Sequence, residues 1–414
     1  MKKYLTWVAA LGLAAGCLGG CKAKANDHEM INGEVALSEK NFPDEAFRNY
    51  VTERFDNDEN GSLSEEEIRV ASSLYLEGVT DTTGLEIFSE LSMLFFDEGS
   101  LAELDVSKNR KLTVLCCDGN QLTKLDVSKN KEIWLLTCEQ NQLTELDVSQ
   151  NPKLEHLDVA GNRLTKLNVD KNYRLSYLKC SGNNLKSLNV GKCAWEINLE
   201  ADDEVVIDRV DKDADNGPAI DAESFPDKVF REYILAKVDR DENGILSERE
   251  AKSVVEFYFH QYDSSEKIRD LTGLKYFTDL ELLDCSDSEL SSLDLRGNPE
   301  LREVLCQRNH LTELDVSKNT KLTELMCYDN RLVKLDVSNS PELSYLGCGS
   351  NQITELDCSK NHKLYVLDCA YNPLDYLNLN GVSPSLRFNI PSGISRIECS
   401  DELREQLESE AVDY

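Results

Sequence analysis

Residues 322–342 read LTELMCYDNRLVKLDVSNSPE, and closely similar segments recur along this chain of 414 residues. The shared pattern is LxxLxCxxNxLxxLDVSxNxx, with a period of 21 residues. Copies begin at Leu91, Leu112, Ile133, Leu154 and Leu175, and again at Leu280, Leu301, Leu322, Leu343 and Leu364. A single copy cannot bury its own apolar positions, so neighbouring copies have to stack. The repeats therefore predict two solenoid arrays.

Two positions of the repeat have distinctive side chains. The ninth is asparagine, expected to hydrogen-bond backbone groups in the turns, at Asn120, Asn141, Asn162, Asn183, Asn309, Asn330, Asn351 and Asn372. The sixth is mostly cysteine, at Cys117, Cys138, Cys180, Cys285, Cys306, Cys327, Cys348 and Cys369. The ligands of a zinc ion surround one point, whereas this repeat supplies one thiol per coil along a line. A zinc site is therefore not expected here. We predict buried free thiols, with disulfides along the ladder as the alternative; Cys116, Cys193 and Cys399 fall outside it.

This is a leucine-rich repeat pattern, and with cysteine in place of one leucine it resembles the repeats of internalin J-like bacterial surface adhesins. The resemblance covers roughly Leu91 to Trp195 and Leu280 to Val382. It implies an α/β-type solenoid with short parallel strands, a surface binding role and no catalytic residue. The chain departs from those adhesins in having five clear coils per array, a second cap between the arrays and no recognisable cell-wall sorting tail.

A twelve-residue acidic loop precedes each array, DNDENGSLSEEE at 56–67 and DRDENGILSERE at 239–250. Both match the EF-hand loop, in which oxygen ligands surround a calcium ion and the sixth residue is glycine. The predicted ligands are Asp56, Asp58, Asn60, Ser62, Ser64 and Glu67 in the first loop, and Asp239, Asp241, Asn243, Ile245 through its carbonyl, Ser247 and Glu250 in the second. We predict two structural calcium ions; an acidic helix-turn without an ion is the alternative.

The two loops lie 183 residues apart, from Asp56 to Asp239. Dockerins and paired EF-hands keep their loops close together, so each loop here is predicted to be single and to cap its own array. Phe42-Pro43-Asp44 recurs as Phe225-Pro226-Asp227, which indicates a duplication of cap and array. Helices with apolar spacing are predicted before both loops.

The first residues have the plan of a signal peptide, with Lys2 and Lys3 followed by an uncharged, largely apolar run from Tyr4 to Leu18. That run is shorter than the roughly 20 residues needed to cross a bilayer. The segment Leu18-Gly19-Gly20-Cys21 resembles a bacterial lipobox, which implies lipidation of Cys21, with Cys17 as a weaker alternative. An ordinary cleaved signal is the competing interpretation. Both interpretations place the chain outside the cytoplasm, and the lipobox interpretation also tethers it to the cell envelope.

These features predict the following organisation: a lipoprotein signal peptide (1–21), a flexible tether (22–40), an EF-hand-like helical cap (41–72), a first leucine-rich repeat array (73–200), an acidic linker (201–222), a second EF-hand-like cap (223–253), a second array (254–382) and a C-terminal cap (383–414).

The composition and the repeat faces favour a binding protein over an enzyme. A net charge of −32 argues against nucleic-acid binding. The five histidines are scattered, and no nucleophile motif or phosphate loop is present. A protein partner is expected on the outward side of the strands, at Phe95, Leu135, Tyr177, Leu305, Met326, Tyr328, Tyr345 and Tyr371. A glycan-binding or scaffold role is the alternative function, and a hydrolase is the least supported. If the strand facing is wrong by one residue, these side chains would point into the core instead.

Overall fold

The computed structural model describes residues 28–96, 99–194, 196–211, 216–259 and 266–410. They form two compact units, one ending at residue 211 and one starting at residue 216. The predicted signal peptide, with Cys17 and Cys21, lies outside the described residues. None of the helices within these ranges has the length and apolar character required to span a membrane.

The first unit starts with a small cap and continues as a parallel sheet. The cap contains β1 (Met30–Ile31), β2 (Glu34–Ala36), α1 (Glu45–Phe55), β3 (Ser62–Leu63) and α2 (Glu65–Val70). The elements after it are β4 (Ser73–Leu76), the 3-10 helix η1 (Leu85–Ile87), β5 (Met93–Phe96), β6 (Val114–Cys116), β7 (Leu135–Thr137), β8 (His156–Asp158), β9 (Tyr177–Lys179), β10 (Ser187–Asn189), β11 (Asn198–Glu200) and β12 (Val206–Asp208). Strands β4 to β9 and β11 make a seven-stranded parallel sheet, and β10 pairs with β12.

The second unit repeats this plan. Its cap contains α3 (Lys228–Lys237) and α4 (Glu248–Ser253). The array contains β13 (Glu256–Tyr258), the 3-10 helix η2 (Leu274–Tyr276), β14 (Leu282–Asp284), β15 (Glu303–Leu305), β16 (Glu324–Met326), β17 (Tyr345–Gly347), β18 (Glu355–Asp357), β19 (Val366–Asp368), β20 (Tyr376–Asn378), β21 (Arg387–Asn389), β22 (Arg396–Glu398) and the final helix α5 (Asp401–Glu410). Strands β13 to β17, β19 and β21 form the main sheet, and β18, β20 and β22 form a second.

The strand register follows the repeat period. Leu136 pairs with Leu115 on one side and with Leu157 on the other, each 21 residues away. Equivalent positions therefore stack in rows, with the first, fourth and sixth positions in the core, as at Ile133, Leu136 and Cys138. The ladder cysteines are buried free thiols, as predicted. The chain is a leucine-rich repeat solenoid, which confirms the predicted fold class.

Each cap is joined to its own array by core packing and by a capping aspartate. Phe47 and Val51 of α1 belong to the same buried cluster as Leu94 of β5. Asp44 caps α1 by accepting a hydrogen bond from the Phe47 N–H, and its other oxygen accepts from the Thr80 N–H at 2.8 Å. Asp227 makes the same two types of contact in the second unit, with the N–H groups of Phe230 and Arg269.

Two asparagine ladders hold successive coils together. At the ninth position, Asn141 Oδ1 accepts from the Leu122 N–H at 2.9 Å, and its Nδ2 donates to the Cys117 carbonyl at 2.9 Å. The second ladder, at the nineteenth position, was not predicted to have a role. There Asn130 Nδ2 donates to the Val106 and Asn109 carbonyls, at 2.9 and 2.8 Å. These bonds satisfy turn carbonyls that would otherwise be buried without a partner.

The structure moves several predicted boundaries. Strands β1 and β2 lie within the predicted tether (22–40) and belong to the first cap. The predicted linker (201–222) contains β12, which extends the first array, and Ala219, which bridges to Ile245 in the second cap. The predicted C-terminal cap (383–414) begins with two further coil strands, β21 and β22, before α5. These terminal strands pair through backbone groups, so they form without the repeat consensus.

Candidate functional site

The first acidic loop follows directly on α1 and turns sharply before α2. Glycine suits its sixth position because Gly61 has φ 80°, a left-handed conformation that residues with a Cβ rarely adopt. The turn brings together one carboxylate oxygen each from Asp56, Asp58 and Glu67, all within 4.8 Å of one another. Carboxylate oxygens converging at this spacing are the donor set that calcium prefers.

Backbone N–H groups donate to all three carboxylates, and the contacts of Asp56 and Glu67 are the shortest. Asp56 accepts from the N–H groups of Asn60 and Gly61, both at 3.0 Å. Glu67 accepts from the Asn57 N–H at 2.8 Å and from the Ser64 N–H at 2.9 Å, the latter as part of a capping box at the start of α2. Each ionised oxygen has more than one acceptor direction, so capping the helix and binding a cation are compatible roles for Glu67.

The second loop has the same arrangement. Asp239, Asp241 and Glu250 each present a carboxylate oxygen within 4.8 Å of the others. Glu250 is fully buried and accepts from the Arg240 N–H at 2.8 Å and the Ser247 N–H at 3.0 Å. The carboxylates predicted from each sequence motif are thus close together in both units, and the donor chemistry fits a hard divalent cation.

The remaining predicted loop residues have distinct local contacts. The amide oxygens of Asn60 and Asn243 each accept a hydrogen bond at 2.7 Å from the N–H of the seventh loop residue, Ser62 or Ile245. Ser64 and Ser247 are the N-caps of α2 and α4. These contacts stabilise the loop conformation in which the carboxylates converge.

A separate apolar cluster lies on the side of the first sheet that faces away from the core, here called the first sheet face. Val114, Cys116 and Leu135 are buried there, and Phe95 packs against them. The ring of Tyr75 stacks on that of Phe95 with centroids 4.7 Å apart. The third and fifth repeat positions therefore point outward, as the facing of Phe95 and Leu135 predicted. Burial raises the pKa of the Cys116 thiol to about 12.

Charged side chains occupy the next part of the first sheet face. Lys179 Nζ lies 2.6 Å from a Glu139 oxygen and 3.2 Å from an Asp158 oxygen. Asp118 accepts from the Thr137 hydroxyl and from the Glu139 N–H, both at 2.8 Å. Burial raises the pKa of Asp118 to about 6, and burial together with Glu139 raises the pKa of Asp158. The pKa of Lys179 is raised by its hydrogen bond to Glu139.

This charged group was missed because only apolar residues were selected at the outward positions. Asp118 and Glu139 occupy the seventh repeat position, and Asp158 and Lys179 occupy the fifth. Phe95 occupies the fifth position and Tyr328 the seventh in their own coils, so the spacing that predicts these two residues to face outward also identifies the charged residues. Tyr177, which was predicted, lies beside them, and its ring stacks on His156 with centroids 4.1 Å apart.

The raised pKa of Asp118 predicts a pH-dependent stability. The folded state holds this proton more tightly than the unfolded state, whose carboxyl has the ordinary value of 3.8. The resulting stability is present below that value and is lost as the pH rises through about 6. Asp118→Asn is therefore expected to raise the melting temperature at pH 7.5 by about 3 °C and to have little effect at pH 4.

The matched control for this pH test is Asp126→Asn. Hydrogen bonds from Ser128 lower the pKa of Asp126, so its replacement should slightly destabilise the protein at pH 7.5. The measurement is thermal unfolding of both variants and of wild type at the two pH values. A stabilisation by Asp118→Asn that is equal at pH 4 and pH 7.5 would show that ionisation is not its cause.

The second sheet face lies on the outward side of the main sheet of the second unit, formed by β13 to β17, β19 and β21, and it also combines apolar and charged side chains. Leu305, Met326, Tyr328 and Tyr345 are half-buried there. Gly347 lies beside them, where a Cβ would be in ordinary van der Waals contact with the Tyr345 ring at 3.4 Å. Burial and the neighbouring Glu303 raise the pKa of Glu324. The predicted residue Tyr371 lies in the turn after β19 and is 82% exposed.

No family model and no curated protein sequence matches this chain. Similar solved structures include the functional domain of InlJ from Listeria monocytogenes, which includes a cysteine ladder; it has 27% identity and a TM-score of 0.34, over 88% of this chain and 61% of that one. An internalin, inlF, from the same species has 16% identity and a TM-score of 0.35, over 88% and 97% of the two chains. The Leptospira interrogans leucine-rich repeat protein LIC12759 has 17% identity and a TM-score of 0.30, over 79% and 92%.

This chain thus spans 61% of the length of the InlJ domain to which it is similar. These matches agree with the resemblance predicted from the cysteine-containing repeats. The fold itself is established by the strand pairing and the buried rows described above.

Proposed function

We propose that this leucine-rich repeat protein is a non-catalytic, calcium-stabilised surface lipoprotein that binds a protein partner through its two sheet faces. The observation that carries the proposal is the first sheet face. There, a buried apolar cluster outside the core adjoins three carboxylates, of which Glu139 and Asp158 pair with Lys179 while Asp118 accepts hydrogen bonds from neutral groups only. An apolar cluster on an open sheet, next to charged groups, is typical of an interaction surface.

The charge balance of this face favours a partner segment with basic side chains. Lys179 pairs with Glu139 and Asp158, while the hydrogen bonds that Asp118 accepts come from neutral groups. Because Asp118 is half-buried, its ionised form is poorly solvated, and an approaching lysine or arginine would stabilise it. The aromatic side chains Tyr75 and Phe95 offer contact area for an apolar residue of the same partner.

Selection of peptides on the full chain from Lys22 onward tests this proposal. A displayed library of random twelve-residue peptides is selected in millimolar calcium, and recovered peptides are measured by fluorescence polarisation. We expect them to be enriched in lysine, arginine and apolar residues. The face variant Asp118→Asn/Glu139→Gln/Asp158→Asn is expected to bind them about tenfold more weakly, because a partly desolvated charge pair contributes more than an exposed one.

The control variant Asp105→Asn/Asp126→Asn/Asp147→Asn removes the same charge from exposed turn positions outside the sheet. It should bind the peptides like wild type. Peptides that bind the face variant as tightly as wild type, or a library that yields no binders, would contradict the proposal. Binding to a glycan array under those conditions would favour the alternative glycan-binding role, in which the aromatic rings stack on sugars.

The calcium part of the proposal is supported by the two convergent carboxylate sets. Asp56, Asp58, Asn60 and Glu67 would hold one ion through side-chain oxygens, and Asp239, Asp241, Asn243 and Glu250 the other. The seventh residues, Ser62 and Ile245, would contribute carbonyl oxygens, with Ser64 and Ser247 at the ninth positions. Extracellular modules bind calcium at about 10⁻⁴ to 10⁻³ M, so the ions would be permanently bound and structural.

Attachment to the envelope rests on the N-terminal motif alone. Leu18-Gly19-Gly20-Cys21 follows an uncharged, largely apolar run and supplies a cysteine for lipidation, with Cys17 as the alternative. A lipid anchor at this position would leave both units outside the membrane.

A further inference from the structure

The first acidic loop is completed by the strands that precede it. Strand β2 pairs with β3 in antiparallel register, with Val35 opposite Leu63 and Ala36 opposite Ser62. The Leu37 N–H extends this pairing by donating to the Gly61 carbonyl at 3.0 Å. The seventh and eighth residues of the loop are therefore held by a segment that lies outside the twelve-residue motif.

This pairing places the Glu34 carboxylate on the loop. One oxygen of Glu34 accepts from the Ser62 hydroxyl at 2.6 Å and from Asn60 Nδ2 at 3.1 Å. Glu34 is half-buried. Its two partners occupy the fifth and seventh positions of the loop, which are both predicted ligand positions.

The contact with Glu34 helps to set the orientation of the Asn60 amide. An asparagine amide offers one acceptor oxygen and one NH₂ donor group. Asn60 Nδ2 donates to both Glu34 and Asp58, at 3.1 and 2.9 Å, so both amide hydrogens are directed at carboxylates. The amide oxygen accepts from the Ser62 N–H at 2.7 Å and lies 2.6 Å from the Ser62 hydroxyl oxygen. A rotated amide would instead present NH₂, which repels a cation.

Glu34 also adds negative charge beside the loop. Asp56, Asp58 and Glu67 already supply three convergent carboxylates. A fourth carboxylate that contacts the loop without needing to bind the ion itself raises the electrostatic attraction for a divalent cation. The effect of the Glu34 charge on cation binding can be separated from the effect of its hydrogen bonds, because a glutamine at this position keeps an acceptor oxygen but lacks the charge.

We propose that Glu34 is a positioning residue of the first calcium loop, which directs the Asn60 amide oxygen and adds charge from outside the motif. This inference rests on the proposed binding of calcium. It makes the N-terminal hairpin formed by β1 and β2 part of the metal site.

Calorimetric titration with calcium chloride tests the assignment. The protein is the chain from Lys22 onward carrying Glu250→Gln, so that the first loop dominates the binding signal. Adding Glu34→Ala is expected to weaken calcium binding at least about tenfold, because it removes two hydrogen bonds to a charged acceptor along with the charge. Glu34→Gln should weaken it by a smaller factor, since it retains an acceptor for Asn60 and Ser62.

Glu29→Ala is the matched control, because Glu29 is exposed and its removal takes the same charge from the same segment. It should leave the affinity unchanged. Circular dichroism in chelator checks that every variant is folded, and Glu34→Gln keeps the test informative if alanine disturbs the hairpin. Wild-type affinity in both Glu34 variants would overturn the inference while leaving calcium binding intact. An absence of calcium binding to the unsubstituted chain would remove the proposed function and this inference with it.

Discussion

Replacing Glu67 by glutamine is expected to abolish most of the calcium-dependent stability of the first unit. A ligand that binds only the folded state stabilises it by RT ln(1 + [L]/Kd), which is about 1.4 kcal/mol when millimolar calcium is ten times Kd. For a unit of this size that free energy corresponds to a shift of about 4 °C in melting temperature. Glu67→Gln should remove this increment, because the variant loses a charged ligand of the convergent set.

The quantity to compare is the difference between melting in millimolar calcium and melting in chelator. Glu67 also caps α2 through the Ser64 N–H, so glutamine can alter stability without any ion, and the difference removes that contribution. Tryptophan fluorescence reports on the first unit alone, because Trp134 and Trp195 are the only tryptophans after residue 22 and both precede the second unit.

Two variants serve as controls for this experiment. Glu65→Gln changes an exposed glutamate in the same helix turn and should keep the full calcium increment. Glu250→Gln should leave the calcium increment of the first unit unchanged. It should remove the calcium increment of the second unit, which is measured by resistance to proteolysis. An increment of wild-type size in Glu67→Gln would mean that the ion is not bound at this loop.

The repeat pattern was sufficient to predict the arrays because every constraint in a coil recurs. Leu136 and Cys138 are buried at the fourth and sixth repeat positions, and so are Leu157 and Val159 in the next coil. Once these positions are assigned to the core in one coil, the assignment holds for every coil. The convergence of the carboxylates in each acidic loop was equally predictable, since all three lie within twelve consecutive residues. In both cases the relevant contacts are set by sequence spacing alone.

Contacts made between non-repeating segments were not predictable in this way. Glu34 contacts Ser62, which lies 28 residues further along the chain, through a strand pairing that no residue of the repeat or loop motifs predicts. The strands β12, β21 and β22 lack the consensus yet extend their sheets through backbone hydrogen bonds. Such pairing depends on the backbone of a neighbouring coil, so it becomes visible only once that coil is in place.

Asn141→Ala is expected to destabilise the first unit by about 3 kcal/mol, because a buried group left without its hydrogen bond costs about 1 to 3 kcal/mol. The substitution leaves the Leu122 N–H and the Cys117 carbonyl without their bonds to the side chain. It also removes weaker contacts to the carbonyls of Cys138 and Glu139, both at 3.2 Å. The melting temperature of the first unit should fall by about 10 °C, while the second unit should be unaffected because coils contact only their neighbours.

Urea unfolding followed by tryptophan fluorescence measures this loss in the first unit. Asn184→Ala is the matched control, since the Asn184 side chain is exposed and its removal should cost no more than about 0.5 kcal/mol. A midpoint for Asn141→Ala equal to that of Asn184→Ala would show that the turn groups find other partners. The large expected difference follows from position alone: the same amide is nearly dispensable on the surface, but inside a coil it satisfies the backbone of two neighbouring repeats.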